Sequence, residues 1–165
     1  MINGATCNAT NHSGCGHLAA VVKVGLNPQS AAINDHTRTV YVTNNALGNV
    51  PGTVSVINGA TCNGSRTSGC SGHHLTVTVG RSPISVAVDT RTGAIYVTDF
   101  SSAAVSVFNG STCKAGVAKG CPRTARLQAA GSQPFGVSVN QLTGTVYVTQ
   151  PFQAGSMSIL RSQPG

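Results

Sequence analysis

Six cysteines have the most chemistry within reach in this chain. They fall in three pairs, Cys7 and Cys15, Cys62 and Cys70, Cys113 and Cys121, each pair eight positions apart. An even count with identical local spacing reads as one disulfide per repeated loop. The competing chemistry is metal binding, since His12 and His17 lie near the first pair and His73 and His74 near the second. The third pair has Lys114, Lys119 and Arg123 for neighbours instead. The spacing is also wider than the short gap of a zinc knuckle, so disulfides are the expected state and no metal is assigned. Closing a nine-residue ring restricts the unfolded loop by about 2.5 kcal/mol. Such bonds persist in oxidising surroundings, which places the chain outside the cell or on its surface.

Acid–base catalysis has little to draw on. The chain holds three Asp and no Glu, and Asp35, Asp89 and Asp99 fall at unequal positions of the repeat described below. A convergent carboxylate pair is therefore hard to assemble, and so is a calcium cluster. Asn44, Asp99 and Gln150 share one repeat position and form the one oxygen-rich set, which could face the mouth of a channel. Their plainer role is to cap strands and start loops. His36, near Arg38, reads as an exposed turn residue. No catalytic residue and no cofactor are assigned.

The net charge of +7 rests on ten Lys and Arg against three Asp. Most of the positive charge is spread along the repeats. Lys114, Lys119, Arg123 and Arg126 are the exception, clustering around one loop as a candidate anion contact. No aromatic residues interleave them for base stacking, which argues against nucleic acid and leaves an anionic glycan or a protein as partner.

These residues are positioned by a repeat. Tyr41-Val42-Thr43-Asn44 returns as Tyr96-Val97-Thr98-Asp99 and Tyr147-Val148-Thr149-Gln150, with steps of 55 and 51. Cys7, Cys62 and Cys113 keep the same steps, and so do Gly25, Gly80 and Gly131. The four-residue difference falls where Asn44 to Gly52 is longer than Asp99 to Ala103, as a surface loop tolerates. Each unit reads as four short strands, exemplified by Leu75 to Val79, Ile84 to Val88, Ala94 to Thr98 and Val105 to Phe108. Thr92-Gly93 and Thr143-Gly144 supply hairpin turns with a left-handed position. No stretch has an apolar stripe at helical spacing. Hydrophobic residues at 40% and charged residues at 8% exclude high-charge disorder. The expectation is an all-β protein of propeller-blade units.

The Tyr-Val-Thr-Asn core, preceded by a Pro and a Val-Ala-Val-Asp strand and followed by Thr-Val-Ser-Val-Ile-Asn-Gly, resembles the YVTN family of β-propeller repeats along essentially the whole chain. Asn44 becomes Asp99 and Gln150, and Asp89 becomes Asn34 and Asn140, so neither polar position is an obligatory carboxylate. The resemblance implies a propeller of the kind found in secreted or cell-surface proteins of bacteria and archaea, with no single activity attached.

Residues 1–165 are expected to form one β-propeller array: 1–25 the end of a blade with its fourth strand at Ala19 to Val24, 26–80 a blade, 81–131 a blade, and 132–165 three strands ending with Met157 to Leu160. The units are four-stranded and antiparallel, and the ends are circularly permuted. Three blades leave the ring incomplete. Either further blades of a longer chain complete it, or two chains associate head to tail into a ring of six. Met1 is followed at once by repeat sequence, so export implies an upstream signal. No apolar run approaches the ~20 residues of a membrane span. On the loop face, Arg81, Asn44, Asp99, Phe100, Gln150 and Phe152 are candidate contacts. The expected function is a non-catalytic scaffold binding protein or glycan. The alternatives are part of a propeller enzyme of lactonase, lyase or hydrolase type, with its catalytic residues in other blades, and a surface-layer or adhesive repeat protein.

Overall fold

A computed structural model describes residues 1–18, 20–152 and 154–161. Among these residues, eleven strands form three antiparallel sheets in chain order. The first contains β1 (Pro28–Asn34), β2 (Thr39–Asn44), β3 (Pro51–Asn58) and β4 (Leu75–Arg81). The second contains β5 (Pro83–Val88), β6 (Ala94–Asp99), β7 (Ala104–Asn109) and β8 (Arg126–Ala129). The third contains β9 (Val137–Asn140), β10 (Thr145–Gln150) and β11 (Ser156–Arg161), with β11 at its edge. Among the described residues no helix is long and apolar enough to cross a membrane.

Val and Tyr on both faces of each second strand make sense because a sheet in the middle of a stack has two covered faces. Between the first and second sheets, Tyr41, Val54 and Val56 pack with Val88, Ile95, Val97 and Phe108. Between the second and third, Tyr96 and Val105 pack with Val146 and Val148. The hairpins are closed by side-chain oxygens: Asn34, Asp89 and Asn140 each accept backbone N–H groups of the following turn. Gly93 and Gly144 take φ of 77° and 67° there, whereas the first sheet places Arg38 at φ 50°. That conformation suits glycine and strains arginine.

One expected strand is not formed. Residues 20–24 carry no ladder bonds, and Ala19 lies outside the described residues. The segment instead lays Ala20, Val22 and Val24 against Val40, Val42 and Ile57 of the first sheet, and the Met1 amino group donates to the Ala20 carbonyl at 2.8 Å. It has the side-chain contacts of a fourth strand without a third strand beside it.

All three cysteine pairs are bridged: Cys7 to Cys15, Cys62 to Cys70 and Cys113 to Cys121. The loops that hold them repeat one construction, in which the N–H of Cys7, Cys62 and Cys113 donates to the carbonyl of Asn3, Asn58 and Asn109, each at 2.9 Å. Cys62, Cys70 and Cys113 are buried among core side chains. Replacing Cys113 and Cys121 together by Ser is expected to lower the unfolding free energy by about 2.5 kcal/mol, read from the urea midpoint.

Candidate functional site

The repeated tetrapeptide divides its work among its side chains. Tyr41 Oη, fully buried, is shared between the carbonyls of Gly110 at 3.2 Å and Cys113 at 2.8 Å in the next sheet. Burial pushes its phenol up to about 12, so the hydroxyl remains a donor at any physiological pH. Thr43 Oγ1 accepts the Ser30 N–H at 3.0 Å from its own sheet and donates to the Ile84 carbonyl of the next at 3.1 Å. Thr98 repeats this, accepting from Ser85 at 2.9 Å and donating to Phe135 at 2.7 Å. The same hydroxyls sit at the bulges where β1 and β5 shift register against their partners.

The fourth position turns inward. Asn44, Asp99 and Gln150 are buried, and each is bonded to a serine of its own sheet. Asn44 Nδ2 donates to Ser55 Oγ at 3.0 Å, and Ser106 Oγ donates to Asp99 Oδ2 at 2.6 Å. Gln150 Nε2 donates to Ser158 Oγ at 2.6 Å and to the Ala130 carbonyl. The three serines occupy one structural position on the third strands. Each polar side chain also lies against a glycine: a Cβ on Gly25 would come within 2.8 Å of Asn44 Cβ, and one on Gly80 within 2.7 Å of Asp99 Cβ. These groups are therefore folded back into their sheets rather than presented on the loop face. Sequence reasoning could have found this through Gly25, Gly80 and Gly131, which step along the chain with the polar residues and mark a close approach.

Asp99 is chemically distinct from its counterparts because it can ionise. Burial pushes its carboxyl up to about 7, against the opposing pull of hydrogen bonds from Ser106 and the Gly80 backbone. Its Oδ1 is buried without a hydrogen-bond partner. Among the described residues the one ion pair is Arg91 with Asp89, at 4.0 Å.

What stays open on the loop face is aromatic and cationic. Phe100 and Phe152, from neighbouring sheets, meet edge to face with ring centroids 5.8 Å apart. Phe100 is half-buried, while Phe152 is 68% exposed. Arg81 is held to the segment that follows Phe100: its N–H donates to Ser102 Oγ at 2.8 Å and its guanidinium to the Ser101 carbonyl at 3.4 Å. Ser82, in the left-handed region at φ 54°, accepts the Phe100 N–H at 3.0 Å and fixes the loop. Phe100 and Phe152 are thus brought together, with Arg81 bonded to the Ser101-Ser102 segment that follows Phe100, whereas Asn44, Asp99 and Gln150 are withdrawn beneath the surface.

The basic cluster is only partly assembled. Lys119 and Arg126 line one groove with Asn109, Pro122 and Thr124, whereas Lys114 and Arg123 do not line it. Among the described residues no group of three or more His, Cys, Asp and Glu gathers as a metal site.

Stacked antiparallel sheets, two of four strands and one of three, joined by short loops and coupled second strand to next sheet, define a β-propeller fold whose ring is open. Comparison with solved structures gives the same class. The chain is similar to hydrazine synthase of Kuenenia stuttgartiensis (TM-score 0.61, 16% identity, 86% of this chain and 34% of that one). It is also similar to a chain of a nidogen/laminin complex (TM-score 0.56, 17% identity, 81% and 44%). A protein from Lactobacillus plantarum is a third neighbour (TM-score 0.51, 17% identity, 88% and 45%). At these identities the likeness is one of fold, and the chain spans under half the length of each neighbour. No protein-family model matches the chain, and no curated protein matches it.

The buried carboxyl yields a signed expectation for pH. In the unfolded chain Asp99 titrates near the ordinary 3.8, but in the folded protein near 7. The folded state therefore holds the proton more tightly between those values. Its contribution to stability is full below pH 4 and is lost as pH rises through 7. Wild type is expected to lose on the order of 4 kcal/mol over that span from this group. Asp99→Asn, which reproduces the Asn44 arrangement, should flatten the profile and be the more stable protein at pH 8. Urea unfolding of both proteins at pH 4.5, 6 and 8 reads the slope directly.

Proposed function

We propose that this chain is a non-catalytic propeller scaffold, exported or displayed at the cell surface, that binds a protein or glycan through the loop patch of Arg81, Phe100 and Phe152. In this reading residues 1–165 are one array of blade units divided near 25, 80 and 131. The observation that carries it is the Phe100–Phe152 pair, with one ring largely open to solvent and a tethered guanidinium alongside. Exposed aromatic rings anchored by a rigid scaffold, with Arg nearby, are the composition of binding hot spots. Ser82 and Ser101, whose hydroxyls are 2.8 Å apart, add polar groups of the kind that orient a sugar or a peptide.

The three disulfides support export, since reducing compartments would open them. One structural neighbour belongs to a nidogen/laminin complex, an assembly of proteins, which fits a protein partner here. The resemblance to YVTN repeats supports the same setting. Lys119 and Arg126, facing one groove without carboxylates, form a secondary contact for an anionic glycan.

The test is retention of the oxidised protein on immobilised anionic polysaccharides and on extracellular proteins, each compared with Phe152→Ala and Arg81→Ala. Phe152 is mostly exposed, so its replacement should leave the fold intact while weakening binding at least about tenfold, the size of a modest hot spot. Variants that bind as tightly as wild type would move the site away from this face.

A further inference from the structure

The β1–β2, β5–β6 and β9–β10 hairpins turn at one end of the stack, and the loops that carry the disulfides close the same end. Bonds between sheets keep these ends in line. The Ala115 N–H donates to Thr39 Oγ1 at 3.1 Å, and the Thr90 N–H to Gln141 Oε1 at 2.9 Å. Five of the ten Lys and Arg stand here, Arg38 and Arg91 in two hairpins and Arg66, Lys114 and Lys119 in two disulfide loops. The five histidines lie in hairpins or disulfide loops as well. The loops at the other end hold a single basic residue, Arg81. Positive charge that is spread along the repeats in sequence is therefore gathered on one face.

Little on this face neutralises it. Asp89 is buried and pairs with Arg91 at 4.0 Å, and Asp35 is the one other aspartate in these loops. Among the described residues Arg38, Arg66, Lys114 and Lys119 have no carboxylate partner. Two grooves at equivalent repeat positions flank the disulfide loops. One, of about 330 Å³, is lined by Asn58, His73 and His74, and His74 Nε2 is buried without a hydrogen-bond partner among the described residues. The other, of about 460 Å³, runs past Asn109, Lys119 and Arg126.

A strained residue points the same way. Gly93 and Gly144 take φ of 77° and 67° in their hairpins, but the first hairpin places Arg38 at that position with φ 50° and its side chain exposed. A side chain in the left-handed region carries a backbone strain that glycine avoids, and such outliers cluster at functional positions.

We propose that this end of the stack binds a linear acidic polysaccharide, whose anionic groups lie across Arg38, Arg66, Arg91, Lys114 and Lys119. A face of unpaired cations attracts a polyanion through its summed field rather than through one deep pocket. None of these loops holds a Phe, Tyr or Trp on which bases would stack, which favours a polysaccharide over a nucleic acid. The disulfides suit an oxidising, extracellular setting, where such polymers occur. The surface is at the opposite end from Phe100 and Phe152 and takes in the Lys119–Arg126 groove as one part. It stands or falls separately from the loop patch.

Titration of oxidised protein with dextran sulfate, with uncharged dextran and single-stranded DNA alongside, tests it. Affinity for dextran sulfate should fall at least about tenfold between about 50 and 200 mM salt, and uncharged dextran should not bind. Arg38→Gly, which installs the residue of the other two hairpins, should raise the urea midpoint and yet weaken binding about threefold. Lys114→Ala combined with Lys119→Ala should weaken it about tenfold at an unchanged midpoint. Affinity that ignores salt, that withstands both variants, or that is exceeded by DNA overturns the proposal. Binding lost in Phe152→Ala alone would assign the polymer to the loop patch and overturn it too.

Discussion

A tyrosine ring is buried at each junction between sheets. At the first junction its hydroxyl also fastens one sheet to the next, whereas Tyr96 Oη at the second is buried without a hydrogen-bond partner among the described residues. In Tyr41 the ring fills an apolar socket in the second sheet and the hydroxyl reaches the carbonyls of Gly110 and Cys113, which follow the third strand there. That bond closes off two backbone acceptors at the start of the disulfide loop, and desolvation keeps the phenol protonated. Thr43 and Thr98 add a second link two residues further on, each joining its own first strand to the next sheet. The threonine hydroxyls sit at the bulges of the first strands, so the same residues mark the register shift and the contact to the next sheet.

The polar residue that closes the tetrapeptide has the opposite task. Asn44, Asp99 and Gln150 fold back to a serine of their own third strand, and glycine at 25, 80 and 131 leaves room for them. Three side-chain types perform one structural role because each offers an oxygen or nitrogen at the required reach. Only the aspartate brings an ionisable group inside, with a consequence for pH that the amides do not share. With these polar groups spent internally, the loops carry other contacts: the Phe100 N–H donates to the Ser82 carbonyl, the Arg81 N–H donates to Ser102 Oγ, and Phe152 meets Phe100 edge to face.

Much of the fold was legible in the chain because three markers kept common steps. The strands, their order and the glycine hairpins follow from that register, and equal spacing sufficed to pair the cysteines. The fate of Asn44, Asp99 and Gln150 was harder to read, since a polar residue at a strand end looks the same whether it faces a channel or turns back. The repeat alignment predicts a fourth strand at Ala19 to Val24, but a strand requires a neighbour, and residues 20–24 carry no ladder. Likewise, Lys114, Lys119, Arg123 and Arg126 are close in sequence, yet the turns of their loop bring only Lys119 and Arg126 to one groove.

The tyrosine link is tested most directly by urea unfolding of Tyr41→Phe. This change keeps the ring in its socket and removes only the hydroxyl, leaving two buried carbonyls without their donor. A loss of about 1–3 kcal/mol, within a single cooperative transition, is the predicted result. An unchanged midpoint would mean that the Tyr41 hydroxyl does not couple the sheets.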